Sequence, residues 1–244
     1  MPPSEWWLPL GAIAFYWYDS LLWLYGDELV LIRRARRWDH AAGSDRLLFR
    51  RRLYLPNPLT PQRPMWRACW SEFSTRDRFT DLSALASLVQ TLRPLRALVT
   101  VLWLLIVLAL PVVVVSGARP SILLALLAAV YSVAAIAVGW LWRQRAVLGL
   151  STRSCRALSF DALACPPFAI NLVRKISLQT MIKGELMAQA RGAFDQPALE
   201  SLRATLIRRV NELLAVEAVG SVPHTTLAAY HSELMEQGTC PVTN

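Results

Sequence analysis

Asp19 is the side chain whose chemistry fits its surroundings least. It lies in an apolar, aromatic-rich stretch that runs from Trp6 to about Tyr25 and reaches Ile32 if the helix tilts. If that stretch crosses a membrane, Asp19 is at its midpoint, where an aspartate costs about 2.5 to 3.5 kcal/mol on insertion scales. Protonation, a hydrogen bond, water or a cation must offset that cost. Asp19 is therefore the leading candidate for a functional or structural polar contact.

Helical spacing predicts which residues lie near Asp19. Gly11 and Ala12 share its face of the helix. A second stripe of small and polar residues lies in a later apolar run. It comprises Ala125, Ala128, Ala129, Ser132, Ala135 and Gly139. Small residues let two helices approach closely, so we predict that these stripes pack together and bring Asp19 near Ser132 or Tyr131.

Three interpretations of Asp19 stay open. The first is a structural polar contact inside the membrane, and the second is a shorter span, residues 6–25, that leaves Asp19 hydrated near the cytoplasmic interface. The third is a proton or ion relay, for which one isolated acid is thin support because proton-coupled systems carry several ionisable groups. Seven Trp and Tyr residues in the same stretch also allow a helix that lies at the interface.

The remaining reactive side chains predict neither a metal site nor an enzyme. Zinc ligands usually come in pairs two to four residues apart, whereas the four cysteines and three histidines here are scattered. Cys165 is a candidate nucleophile only if a base lies beside it. Phosphate-binding, hydrolase and metalloprotease motifs are absent from the sequence. We expect no cofactor and no catalytic residues.

A hairpin of two apolar runs positions everything else. Residues 97–115 and 122–142 contain no Asp, Glu, Lys or Arg, and a six-residue turn joins them. Each run is close to the ~20 residues that a helix needs to cross a ~30 Å hydrocarbon core. Soluble core helices rarely continue that far without a charge. The sequence therefore predicts a transmembrane helical hairpin over residues 97–142.

Charge predicts the orientation. The chain of 244 residues is 55% hydrophobic with a net charge of +9, and residues 33–96 carry 14 arginines against five acids. Basic segments stay in the cytoplasm. We expect an N-terminus outside, with residues 33–96 and 143–244 inside. The strong preference for arginine over lysine suggests a GC-rich genome, so the bacterial inner membrane is the expected location.

The arginines of the basic loop are predicted to contact anionic lipid head groups, where each is worth roughly 1 kcal/mol. The predicted lipid contacts are Arg33, Arg34, Arg36, Arg37, Arg50, Arg51 and Arg52. A protein partner is an alternative for this loop. Nucleic-acid binding is a weaker one, since topology alone accounts for the excess of arginine.

The C-terminal region contains an amphipathic helix after Asp195. Its apolar stripe comprises Leu199, Leu202, Leu206, Val210 and Leu213. Two interpretations are open: the stripe packs against the preceding helix, predicted over residues 168–190, or it docks a partner helix or the inner leaflet. The heptad pattern fails at Arg209, so a long coiled coil is not supported.

These patterns together predict an all-α membrane protein with three transmembrane helices. Its segments are a first span at 1–32, a basic cytoplasmic loop at 33–96, the hairpin at 97–142 and a cytoplasmic helical domain at 143–244. The expected function is a non-enzymatic subunit or scaffold of a membrane complex. Its expected partners are lipids and other membrane or cytoplasmic proteins, in a homo- or hetero-oligomer. A channel or transporter subunit that uses Asp19 is the alternative, and a lipid-acting enzyme is a fainter one.

Overall fold

The chain folds into two units that are each built from three separate segments. The computed structural model describes residues 6–34, 37–45, 47–48, 51–69, 79–80, 85–183, 186–216 and 221–236. The helical unit comprises Met1–Leu22, Leu55–Trp66 and Ser83–Thr180. The sheet unit comprises Trp23–Tyr54, Arg67–Leu82 and Met181–Asn244. This division differs from the four consecutive segments expected from the sequence.

The helical unit is a bundle around the two apolar runs. Its helices are α1 (Trp7–Ser20), α2 (Leu85–Thr91), α3 (Arg93–Trp103), α4 (Leu110–Val115), α5 (Pro120–Gln144), α6 (Thr152–Ala164), α7 (Pro166–Ala169) and α8 (Leu172–Ser177). A π-helical segment, Leu104–Ala109, joins α3 to α4, so the first run is continuous from Arg93 to Val115. This helix of 23 residues and α5, with 25, are both long enough and apolar enough to cross a membrane.

The turn and the π-helical segment follow from particular residues. Gly117 adopts a φ of 61°, which favours glycine, and Pro120 begins α5 where a missing N–H costs nothing. Pro111 would clash with the carbonyl one turn earlier in a regular α-helix. The wider π turn accommodates it, and the Leu110 N–H reaches back five residues to the Leu105 carbonyl.

The buried face of the hairpin is not the stripe of small residues that the sequence suggested. On α5 the buried residues are Val130, Ala134, Ala137 and Leu141. They belong to one core with Leu95, Val99, Leu102 and Ile106 of the first run. Ala128, Ser132, Ala135 and Gly139 are exposed on the other side of α5. The apolar windows of the two long helices are only 17% and 22% buried within the chain.

The expected first span is wrong, and with it the all-α, three-span fold. Helix α1 has 14 residues and is about 21 Å long, which is short of a ~30 Å core. The chain becomes extended at Leu21, and residues 22–34 form two strands around a turn at Gly26 and Asp27. Two short apolar runs on either side of a Gly-Asp pair favour strands over a helix.

The strands are β1 (Leu22–Tyr25), β2 (Glu28–Arg34), β3 (Arg37–Ala41), β4 (Leu47–Leu48), β5 (Arg51–Tyr54), β6 (Met65–Cys69), β7 (Phe79–Thr80) and β8 (Met181–Lys183). All their residues belong to the sheet unit except Leu22, Met65 and Trp66. One sheet has the order β1-β5-β4 and the other β3-β2-β6-β8-β7. Strands β2 and β3 pair antiparallel, whereas β8 pairs parallel with β6 and β7. Residues 33–96, expected as a loop, thus contribute strands.

Three helices complete the sheet unit: α9 (Leu186–Arg191), α10 (Gln196–Leu214) and α11 (Val222–Glu236). Helix α10 packs against β3, α9 and α11. The helix expected over residues 168–190 is interrupted, because α8 ends at Ser177 and strand β8 follows. Residues 143–244 therefore do not form one helical domain: their first part belongs to the helical unit and their last part to the sheet unit.

The two faces of α5 give a direct test of this packing. We expect Ala134→Leu to cost about 1 to 3 kcal/mol, because Ala134 is fully buried and a larger side chain overpacks the core. Its exposed neighbour provides the control, and Ala135→Leu should leave the unfolding midpoint almost unchanged. Unfolding of the full chain in mixed micelles measures both. Equal costs, or a larger cost for Ala135→Leu, would contradict the assigned faces.

Candidate functional site: a buried polar cluster

Asp19 lies in the last turn of α1 and has a charged partner. Its Oδ1 is 2.8 Å from Lys175 Nζ, and its Oδ2 accepts a hydrogen bond of 3.0 Å from Asn171 Nδ2. Asn171 also donates to the backbone carbonyl of Tyr16. Both oxygens of the carboxylate are therefore occupied, and the ion pair is largely buried, with 12% of the Asp19 side chain exposed.

Lys175 is the centre of this polar cluster. Besides Asp19, its ammonium lies 3.4 Å from Asp161 Oδ2 on α6, and it stands 5.0 Å from the centroid of the Phe168 ring. A cation over an aromatic face gains roughly 0.5 to 2 kcal/mol, depending on how dry the site is. One ammonium thus joins α1, α6, α7 and α8. We call Asp19, Asp161, Asn171 and Lys175 the polar cluster.

Arg174, beside the cluster, serves a structural role. Its Nη2 donates to the carbonyls of Asn57, at 2.6 Å, and Thr60, at 3.0 Å, while Nη1 donates to Asn171 Oδ1 at 3.3 Å. The Tyr16 hydroxyl donates to the Pro58 carbonyl in the same stretch. These bonds fix the proline-rich segment 55–66 against the helices.

Local sequence explains the arrangement. Asn171 precedes α8, and the spacing of four residues to Lys175 places both side chains on one face of a helical turn. The pair Pro166-Pro167 begins α7, where proline is tolerated, and forces the chain to restart after α6. The short helices α7 and α8 can therefore turn their polar residues towards the end of α1.

Burial dominates the titration of Asp19. It raises the pKa of the carboxyl above its usual value, while Lys175 and Asn171 act in the opposite direction. Burial likewise raises the pKa of the Cys165 thiol, so this cysteine is a poor nucleophile at neutral pH. The cluster holds charge in a fixed place, and it offers no activated nucleophile among its members.

The predicted neighbours of Asp19 lie elsewhere. Ser132 donates to the Ala128 carbonyl of its own helix, and Tyr131 is exposed. Gly11 and Gly139 have no heavy atom within 4 Å of where a Cβ would be, so neither marks a close helix contact. The two apolar runs contain no Lys or Arg, and the cation that pairs with Asp19 is Lys175, which lies outside both runs. The spacing Asn171-x-x-x-Lys175 after two prolines was the signal that was missed.

The predicted lipid-binding arginines have protein partners in the sheet unit. Arg33 lies over the Trp38 ring, Arg34 pairs with Asp39, and Arg37 pairs with Asp195. Arg51 donates to the Tyr25 hydroxyl and lies over its ring. Arg52 pairs with Glu212 and donates to the Ser44 carbonyl. Arg52 is buried, so it is not available to a lipid head group. Arg34 and Arg37 keep largely exposed side chains. Arg36 and Arg50 lie outside the described residues.

The stripe of α10 packs inside the sheet unit. Leu202, Leu206 and Val210 are fully buried, and Leu199 and Leu213 are half-buried. The stripe is therefore not open to a partner helix. Arg209, where the heptad pattern fails, is buried as well. Within the described part of the chain, nothing accepts a hydrogen bond from its guanidinium nitrogens.

A metal site finds no support in the part of the chain that the structure describes: no three His, Cys, Asp or Glu side chains come together there. Cys69, Cys155 and Cys165 form no disulfide within the described residues. His40 bonds to Thr205, and burial lowers its pKa. No protein-family model, no curated protein and no solved structure matches the chain significantly.

Two substitutions in the ion pair should have unequal effects. Lys175→Met leaves the Asp19 carboxylate buried without its cation, which we expect to cost about 3 kcal/mol at pH 7. Asp19→Asn keeps an acceptor for Asn171 and leaves Lys175 beside Asp161, so we expect a cost below about 1 kcal/mol. Chemical unfolding of the full chain in detergent measures both costs.

The pH dependence has a definite sign. The folded-state pKa of Asp19 lies above 3.8, the usual value of a solvent-exposed aspartate, so the unfolded chain loses this proton first as the pH rises. The contribution of Asp19 to the free energy of unfolding is complete below the unfolded-state pKa, and it is lost as the pH rises through the folded-state pKa. Lys175→Met raises that pKa further, so acidification should restore stability to this variant. Equal costs for the two variants, or no recovery in acid, would contradict the assigned pair.

Proposed function

We propose that this protein is a non-enzymatic, membrane-anchored subunit whose helical unit inserts a two-helix hairpin and whose sheet unit binds a protein partner. The observation that carries the proposal is the exposure of the hairpin. More than three quarters of the apolar window of each long helix is unburied within the chain, and soluble proteins rarely expose so large an apolar surface. A bilayer covers such a surface without another protein.

The orientation in this proposal follows from the flanking arginines. Arg93 and Arg96 lie at the start of the hairpin, Arg143 lies in the last turn of its second helix, and Arg145 follows that helix. Basic residues at membrane-proximal ends favour the cytoplasm, so both ends of the hairpin lie inside and the turn at Gly117 lies outside. An exterior N-terminus depended on the first span and is not part of this proposal. The bacterial inner membrane remains the proposed location.

The partner-binding surface of this proposal is the outward face of α10. A shallow groove there is lined by Ala204, Ile207, Arg208, Asn211, Glu212 and Ala215. Arg208 pairs with Asp45 and Glu212 at the edge of this groove, which leaves its centre apolar. An apolar centre with a charged rim is typical of protein interfaces.

The rival function, transport through Asp19, loses support from the ion pair. Lys175 already compensates the Asp19 charge, and Asn171 occupies the other oxygen. A carboxylate that relays protons or ions has to exchange partners. A lipid-acting enzyme is also less well supported, because the pKa of Cys165 is raised and the polar cluster provides no nucleophile with an adjacent base.

Single-cysteine labelling tests the anchor and its orientation. In a chain whose four native cysteines are replaced by serine, we expect Ala118→Cys in the hairpin turn to react with an impermeant maleimide from the outside only. Ala146→Cys, just beyond α5, should react only after the membrane is opened. Labelling of both positions from the same side, or release of the chain by carbonate, would rule out a transmembrane hairpin.

A bulky substitution in the α10 groove tests the subunit role. Asn211 is exposed at the groove, so Asn211→Trp should block a partner there while the chain stays in the membrane. Ser201→Trp, on an exposed part of the same helix outside the groove, is the control. Complex size after purification in mild detergent provides the measurement. A wild-type chain that purifies as a lone monomer, or identical complexes in both variants, would contradict a subunit role.

A further inference from the structure

An apolar cavity of about 240 Å³ lies within the helical unit, where α1, α7 and both halves of the hairpin meet. The residues that line it are Leu8, Ala12, Ile106, Leu110, Leu123, Leu126, Leu127, Val130, Tyr131, Pro166 and Pro167. Every one of these side chains is apolar except for the tyrosine hydroxyl. Leu8, Leu127 and Tyr131 are also exposed, so the cavity opens on the apolar outer surface of the bundle.

The course of α6 sets the depth of this cavity. The Trp142 indole donates to Ser159 Oγ at 3.0 Å. The two residues therefore lie at the same height along the axis of α5, although 17 positions separate them in the sequence. Helix α6 therefore runs back along α5. Six further residues take it to Cys165, about 9 Å beyond the level of Trp142. The side chain of Phe160 points outward on this stretch and is 73% exposed.

The chain from α6 to α8 thus re-enters the bundle from its basic end. Trp142, with Arg145 over its ring at 5.9 Å, has the composition of a membrane interface. Tyr131 lies 11 residues before Trp142 on the same helix, which is about 17 Å towards the middle of the bilayer. Pro166 and Pro167 line the cavity with it. In the transmembrane arrangement proposed above, on which this inference rests, the cavity is therefore at the depth of the hydrocarbon.

The polar cluster lies at a different level. Asp161 follows Ser159 by two residues, about 3 Å beyond Trp142, and Lys175 and Asp19 are paired beside it. Charged groups near the interface with an apolar cavity below them match the two ends of a phospholipid. The Asp161 side chain is 46% exposed, so a head group can reach this level of the structure.

We propose that the cavity binds one acyl chain of a membrane phospholipid, with the head group at the level of Asp161 and Lys175. A partner helix does not fit, because a helix with side chains is 10 to 12 Å across and the cavity is smaller than an ordinary ligand pocket of about 300 to 1,000 Å³. Water gains little there, since apolar walls provide few hydrogen-bond partners. An acyl chain is the apolar chain present at this depth.

Photolabelling with a phosphatidylcholine that carries a diazirine in the middle of one acyl chain tests this site. The full chain is reconstituted into vesicles containing that lipid, irradiated and digested. We expect adducts on the peptide that contains Pro166 and Pro167. Ala12→Trp fills the cavity, so it should reduce those adducts about tenfold. Adducts on Ile136, which is exposed to bulk lipid, should not change.

Two further variants keep the test decisive. Ala128 is exposed on α5 and does not line the cavity, so Ala128→Trp should leave the adducts on Pro166 and Pro167 unchanged. Leu126→Ala enlarges the cavity and should preserve or increase them, even if Ala12→Trp fails to fold. Unchanged labelling in folded Ala12→Trp, equal losses in both tryptophan variants, or lost labelling in Leu126→Ala would overturn the proposed site.

Discussion

The buried guanidinium of Arg174 is the contact on which the helical unit depends most. It reaches backbone carbonyls in the proline-rich segment and side-chain oxygens near the end of α1, all from a helix of only six residues. Short helices are marginal by themselves, so α8 owes its geometry to such tertiary contacts. A buried charge of this kind is tolerated because several acceptors surround it, and removal of one acceptor leaves a large desolvation cost. The position of Lys175, the next residue, follows from this anchoring.

Two kinds of burial are combined in the helical unit. The hairpin buries one narrow face against its own core and leaves the rest of its surface to its surroundings. The region around α6, α7 and α8 buries polar groups that are almost all paired. Irregular backbone that is shielded from water requires that kind of pairing, because buried polar groups without partners are costly. The polar cluster can thus be understood first as the structure that allows α7 and α8 to leave the regular helical pattern.

The sequence predicts the hairpin well because its signal is local. Two runs without charge, a turn with glycine and proline, and flanking arginines are all visible within 50 residues. The Asp19 contact could not be predicted, because its partner Asn171 lies 152 residues away and outside every apolar run. The predicted packing face of α5 was wrong because small residues lie on both sides of this helix. Ala134 and Ala137 are buried, whereas Ala128 and Ala135 are exposed. Composition does not distinguish the two faces of such a helix. The strands at 22–34 were missed because a tilted helix accounts for their apolar content as well as two strands do. The Gly-Asp turn between them was the discriminating feature.

The separation between Asp19 and its partners also has a consequence for biosynthesis. Ribosomes add about 5 to 20 residues per second, so roughly 8 to 30 s pass between the synthesis of α1 and that of Asn171. The hairpin is completed within that interval, while the Asp19 carboxylate of α1 has no cation beside it. The nascent chain therefore passes through a stage in which this carboxylate is uncompensated, and only the arrival of α8 supplies its partners.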